Sequence, residues 1–130
     1  MIIDNKVLDR LTEQAKASPR LRMHYDLRNT PDDLSQRLLN AIEPETDIPI
    51  HRHLGTSETV ACIRGHYEEY LYDESGNLIE TVDMLPGGVV LNVPTGQWHN
   101  LKSLESGTVL IEFKDGPYAP MGENELWKKQ

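Results

Sequence analysis

Two histidines one residue apart, and a glutamate five positions beyond the second, stand in HRHLGTSE, residues 51–58. Histidine is scarce in this chain: His24, His51, His53, His66 and His99 are the full set. Residues two apart on a strand point to one face, so an extended segment aims the His51 and His53 rings together. Glu58 follows a Gly55-containing turn short enough to lay its carboxylate beside them. Two imidazoles and a carboxylate form a mixed N/O donor set that suits zinc, iron, manganese, nickel or copper. His99 would complete it from another strand, and three histidines with one carboxylate leave coordination positions open for water or substrate. An HxH pair alone is more often a solvated strand edge than a metal site, so the weight falls on what surrounds it.

The surroundings are regular. HRHLGTSETVACIRG places Gly65 seven positions after Glu58, and GVVLNVPTGQWH sets Gly88, Pro94, Gly96 and His99 in a second fixed spacing. The two stretches resemble the paired motifs of the cupin superfamily. Two positions depart from that pattern, with Glu45 where a glycine is usual and Ser103 where an asparagine is common. Neither is a metal ligand in the family, so the departures bear on loop geometry. LRMHYDL, SQRLLNAIEPETDIPIHRH and EFKDGPYAP further resemble the WbuC family of cupin-fold metalloproteins, a likeness running from about Ser18 to Pro120. The resemblance implies an all-β fold, a single cupin (double-stranded β-helix or jelly-roll barrel) with a short N-terminal helix. It also implies His51, His53, Glu58 and His99 as ligands of one divalent transition metal ion (Zn, Fe, Mn or Ni). A cytoplasmic protein encoded near surface-polysaccharide genes, and a homodimer, are implied as well.

The elements that must position these residues are legible in part. Val7, Leu8, Leu11 and Ala15 recur at helix spacing after Asp4, a capping residue, and Ser18-Pro19 ends the pattern. Leu21, Met23, Tyr25 and Leu27 then alternate with Arg20, Arg22, His24 and Asp26, as on a strand. A turn at 29–33, with Thr30 and Pro31 suited to one helical turn, leads to short strands at 36–43 and 48–53 and a long one at 58–72. A hairpin turn at Asp73–Asn77 precedes 78–84, the strand VVLNV follows, and 98–104 with 108–114 form the expected last pair. Roughly eight strands punctuated by Gly, Pro and Asn predict a sandwich or barrel. Residues 1–35 are expected as an extension packed on the barrel, 36–120 as the barrel, and 121–130 as a tail.

Composition narrows the partners. A formal net charge of -8 argues against nucleic acid, which calls for a basic face. No apolar run approaches the ~20 residues of a membrane span, and Asp4 interrupts any secretory-signal pattern. The lone cysteine, Cys62, fits a reducing compartment and a core thiol. Glu123 and Glu125 are expected only to solvate the surface. Four residues are candidates for substrate binding. Arg22 and His24 share a polar strand face that either meets solvent or crosses the barrel mouth. Asn40 stands among apolar neighbours, and Arg64 either pairs at the rim or grips an anion.

One fold hosts many chemistries, so three functions stay open. The leading one is a metal-dependent enzyme of isomerase or epimerase type acting on a small polar molecule such as a sugar, in surface-polysaccharide metabolism. An iron-dependent dioxygenase and a non-catalytic, metal-dependent binding module are the others.

Overall fold

A computed structural model describes residues 1–128. The expected helix forms as α1 (Asn5–Ala17), and the Asp4 carboxylate accepts from the Lys6 and Val7 N–H groups at 3.1 and 3.3 Å. Those donors would otherwise lack partners at a helix start. Eight strands follow: β1 (Arg22–Asp26), β2 (Gln36–Ile42), β3 (Glu58–Arg64), β4 (Tyr67–Tyr72), β5 (Leu78–Met84), β6 (Val90–Val93), β7 (Trp98–Ser103) and β8 (Val109–Lys114). They pair antiparallel in two sheets, ordered β1-β2-β8-β3-β6 and β5-β4-β7, the layers of an all-β jelly roll.

The larger sheet is covered on both faces. On its outer side Leu8, Leu11 and Ala15 of α1 bury against Leu39, Ala41 and Val109, with Met23 and Leu27 at the margin. On its inner side Ile42, Val60, Cys62 and Leu110 meet Tyr67 and Met84 of the facing layer. The inward positions of β8 show how this interior is divided: Leu110 belongs to the apolar cluster, whereas Glu112 and Lys114 line a polar cavity. One end of the barrel is thus a packed core and the other a site.

Three expectations are corrected and one, the turn at 29–33, is narrowed. The strand read as 58–72 is two strands, because Gly65 has φ +88° and a Cβ there would lie 2.4 Å from Thr108 Oγ1 and 2.7 Å from Thr108 Cα. The chain changes sheet at this point, and inward positions pass from 58, 60 and 62 to 67, 69 and 71. Residues 48–53 are no regular strand; prolines lack the N–H a ladder needs, and only two isolated bridges form after Pro49, from His51 to His99 and to Leu126. β7 and β8 do not pair with each other but lie in different sheets, β7 beside β4 and β8 between β2 and β3. The crossing between them is tied down where Glu43 accepts from Ser106 Oγ and the Gly107 N–H at 2.6 and 2.8 Å. The segment at 29–33 is a turn closed by the Asp33 N–H on the Thr30 carbonyl, with no helix.

Glu125 does more than solvate. Its carboxylate accepts from the N–H groups of Leu54 and Gly122 at 2.9 and 2.8 Å. The Trp127 N–H donates to the Ile50 carbonyl, and the Arg52 N–H to the Glu125 carbonyl. Residues 122–127 therefore strap the histidine-bearing segment to the barrel.

Candidate metal centre

His51 and His99 exchange backbone N–H···O=C bonds of 3.0 and 2.8 Å, which sets their rings 4.4 Å apart, centroid to centroid. The His53 ring lies 5.1 Å from that of His51 and 5.6 Å from that of His99. One nitrogen from each ring falls within 4.8 Å of the others, so the three histidines could hold one metal ion. Glu58, at the start of β3, points to the same place: its Oε2 is 3.1 Å from His53 Nε2 and 3.9 Å from His99 Nε2.

The surrounding groups prepare the rings as donors. His51 Nδ1 lies 2.8 Å from the Pro49 carbonyl and His99 Nδ1 2.8 Å from Glu69 Oε1. With Nδ1 donating in each pair, Nε2 keeps its lone pair for a cation. Burial, with the neighbouring His99 ring, lowers His51 to about 4, and burial lowers His99 to about 4, so both are neutral near pH 7. Burial pushes the Glu58 carboxyl up, but the His53 contact, then the neighbouring His99 and the Lys114 charge, outweigh it and leave Glu58 below the usual carboxylate range. Burial, and after it the Glu58 charge, raise Glu69 well above that range; a cation at the triad would oppose both.

The donor set passes a further test. Among the described residues, the buried side-chain polar atoms without a partner are His99 Nε2, Glu69 Oε2 and Tyr67 Oη. A buried polar atom left unpaired costs about 1–3 kcal/mol. His99 Nε2, aimed into a cluster of neutral imidazoles and an ionised carboxylate, is relieved by a cation. These residues fit a borderline transition metal.

The centre opens on a cavity of about 230 Å³. Arg22 and Asn40 line it, together with Glu112, Lys114, Asn100 and Met121. His24 borders an adjoining depression that shares Asn40, Glu112 and Lys114 with the cavity. Arg64 lies elsewhere and does not line the cavity: its guanidinium meets Asp9 Oδ1 at 2.7 Å, Thr12 Oγ1 at 3.1 Å and the Gly107 carbonyl at 3.0 Å, clasping α1 to the barrel. The β1 alternation works in reverse of its ordinary reading. Its apolar residue Met23 packs under α1, while Arg22 on the polar face borders the cavity.

Three acidic or basic groups of the site are absent from the sequence-level candidates. Glu69 escapes a reading of 58–72 as one strand, because the Gly65 break reverses which positions face inward. Its only signal is a carboxylate in register with Tyr67 and Leu71, both buried. Glu112 and Lys114 sit at alternate positions of an otherwise apolar strand, VLIEFK, with the parity of Leu110. Burial first and the Glu58 charge second push Glu112 up to about 7, while the Asn40 amide donates to its Oε1 at 3.4 Å.

Known structures share this architecture. KdgF from Halomonas sp. is 18% identical over 78% of this chain and 84% of its own, with a TM-score of 0.62. A cupin 2 domain-containing protein from Halorhodospira halophila is 16% identical over 78% and 68%, with a TM-score of 0.61. The capsular polysaccharide assembling protein CapF from Staphylococcus aureus is 19% identical over 80% of this chain and 28% of its own, with a TM-score of 0.66. The chain thus spans little more than a quarter of CapF. At such identities the likeness establishes the cupin jelly-roll fold. No curated protein matches the sequence. A family profile does match, over residues 3–84, a span that holds His51, His53 and Glu58 but stops short of His99. The chain belongs to the family described as Domain of unknown function (DUF6016).

Proposed function

We propose that this protein is a metal-dependent cupin enzyme that acts on a small polar molecule, a sugar or sugar derivative, by isomerase- or epimerase-type chemistry. The observation that carries the reading is the buried, unpartnered His99 Nε2 beside His51, His53 and Glu58, at the wall of a polar cavity. In this reading those four residues hold the ion, and Arg22, Asn40 and His24 meet the substrate. The bound metal supplies Lewis acidity toward a carbonyl or hydroxyl oxygen.

The protein's own residues do the rest. Glu69 orients the His99 ring through Nδ1. Glu112 faces the cavity, is held by Asn40 and carries a proton near neutrality, so its carboxyl is placed to give or take a proton at a ligand atom. At about 230 Å³ the cavity falls below the usual ~300–1,000 Å³ of small-molecule sites, which limits the ligand to a single ring or a short chain. The likeness to CapF supports a place in surface-polysaccharide metabolism. The single cysteine supports a cytoplasmic setting, and the free edge of β1 supports a homodimer built on residues 1–35.

Elemental analysis of protein purified without chelator, followed by NMR of metal-loaded protein with monosaccharides and single-ring sugar derivatives in D2O, tests the enzyme. Stoichiometric transition metal and solvent deuterium appearing in one sugar position are expected. Full metal loading with no exchange on any sugar would refute catalysis. Light scattering that finds only monomer at all concentrations would refute the dimer.

A further inference from the structure

Building on the metal-dependent reading, we infer that Glu125 is a positioning residue for the metal centre, clamping the chain on both sides of His53 and so presetting its ring for the ion. The four donors are not held alike. Glu58 stands in β3 between β6 and β8. His51 and His99 each have an oxygen behind the ring, from the Pro49 carbonyl and the Glu69 carboxylate. His53 lies outside any strand, and among the described residues its ring has a polar side-chain or backbone partner only at Nε2, in Glu58. Its orientation therefore rests on the backbone. The His53 carbonyl accepts from the Gly96 N–H at 2.8 Å. The N–H groups of its two neighbours both end on Glu125: Arg52 donates to the Glu125 carbonyl and Leu54 to Glu125 Oε2, each at 2.9 Å.

Glu125 can act as a clamp because it is itself held. Its Oε1 accepts from the Gly122 N–H at 2.8 Å, and the two backbone donors, Leu54 before Gly122, keep its carboxyl below the usual carboxylate range. Beyond Glu125, Leu126 bridges to His51, and the Trp127 N–H donates to the Ile50 carbonyl at 3.0 Å. The Trp127 ring packs edge-on to Trp98 at 5.0 Å, and the Arg52 guanidinium lies over the other tryptophan of this pair, Trp98, at 4.3 Å. The segment that carries Glu125 is thus fixed on both sides of it. Donors already held in place lose less freedom when an ion binds. Loss of a supporting contact behind a ligand typically weakens metal binding 10–100-fold.

Zinc affinity of the full chain, measured by competition with a chromogenic chelator, tests this. Glu125→Ala is expected to weaken zinc binding about tenfold or more. Glu125→Gln keeps an oxygen for one of the two N–H groups and should weaken it less, about threefold. Arg64→Ala, which loosens the helix clasp away from the centre, should leave the affinity unchanged, so a general loss of stability is told apart from lost positioning. A folded Glu125→Ala with the parent's affinity would overturn the inference, and so would an equal loss in Arg64→Ala. Should Glu125→Ala not fold, parental affinity in Glu125→Gln would overturn it. A parent that takes up no zinc would strike the metal reading instead, and the clamp is then judged in metal-free protein. There the nuclear Overhauser effect between the His51 and His53 rings, whose centroids are 5.1 Å apart, should weaken in the Glu125 variants, and equal strength in variants and parent would overturn the clamp.

Discussion

His99 joins three layers of the site through one side chain. Its backbone pairs with His51, its Nδ1 meets Glu69, and its Nε2 faces the triad with nothing to bond. Partners behind a ligating histidine set its tautomer and basicity, and their loss typically weakens metal binding 10–100-fold. Glu69→Gln is accordingly expected to lower metal affinity by about that factor, measured by competition with a chromogenic chelator, with an unchanged circular dichroism spectrum. An affinity equal to the parent's would mean that Glu69 has no hold on the ring. Acidity provides a second handle. In the folded protein His51 and His99 titrate near 4, against about 6.5 in an unfolded chain. Between those values these two rings bind more protons in the unfolded chain and favour folding as pH rises, whereas Glu69 and Glu112, held above the carboxylate range, act in the opposite sense. The rings themselves carry the prediction: in the metal-free protein the His51 and His99 imidazole NMR signals should show no protonation until the pH falls toward 4. Titration of both rings near 6.5 would contradict buried neutral imidazoles.

At the scale of elements, α1 is held by two kinds of contact. Leu8, Leu11 and Ala15 bury an apolar stripe, and Arg64 reaches from the end of β3 to Asp9 and Thr12. The Asp9 carboxylate is 71% exposed, so that ion pair adds little; the Thr12 and Gly107 bonds carry most of the clasp. Arg64→Ala should cost about 1–2 kcal/mol in urea denaturation and leave metal content unchanged. Lost metal in that variant would restore Arg64 to the site. Leu11→Ala, at the centre of the stripe, should cost about 2–5 kcal/mol by the same measurement. The strand elements show why part of the site was hidden in sequence. Period-two alternation was legible within each strand, but its sign was not. For Arg22 the alternation left open whether its face met solvent or the barrel mouth, and the helix lying on the Met23 side made the apolar face the outer one.

The molecule as a whole gathers its site from β1, β2, β3, β4, β7, β8 and the 48–53 segment, with residues 122–127 strapped across the latter. An ion bound only by the folded form stabilises all of it. At one hundred times its dissociation constant the gain is about 2.7 kcal/mol, which predicts a melting temperature roughly 10 °C higher on metal addition and reversed by chelator. No shift with any transition metal would count against the triad as a metal centre. From the sequence alone came the donor types, the spacing of His51, His53, Glu58 and His99, and the helix. All of these follow from local geometry: a period of two or 3.6. Tertiary structure alone decided that Glu69 backs His99, that Glu112 and Lys114 face the cavity, and that Arg64 serves the helix. Those outcomes depend on which layer each strand joins, and that is set by packing between segments far apart in the chain, where spacing carries no information.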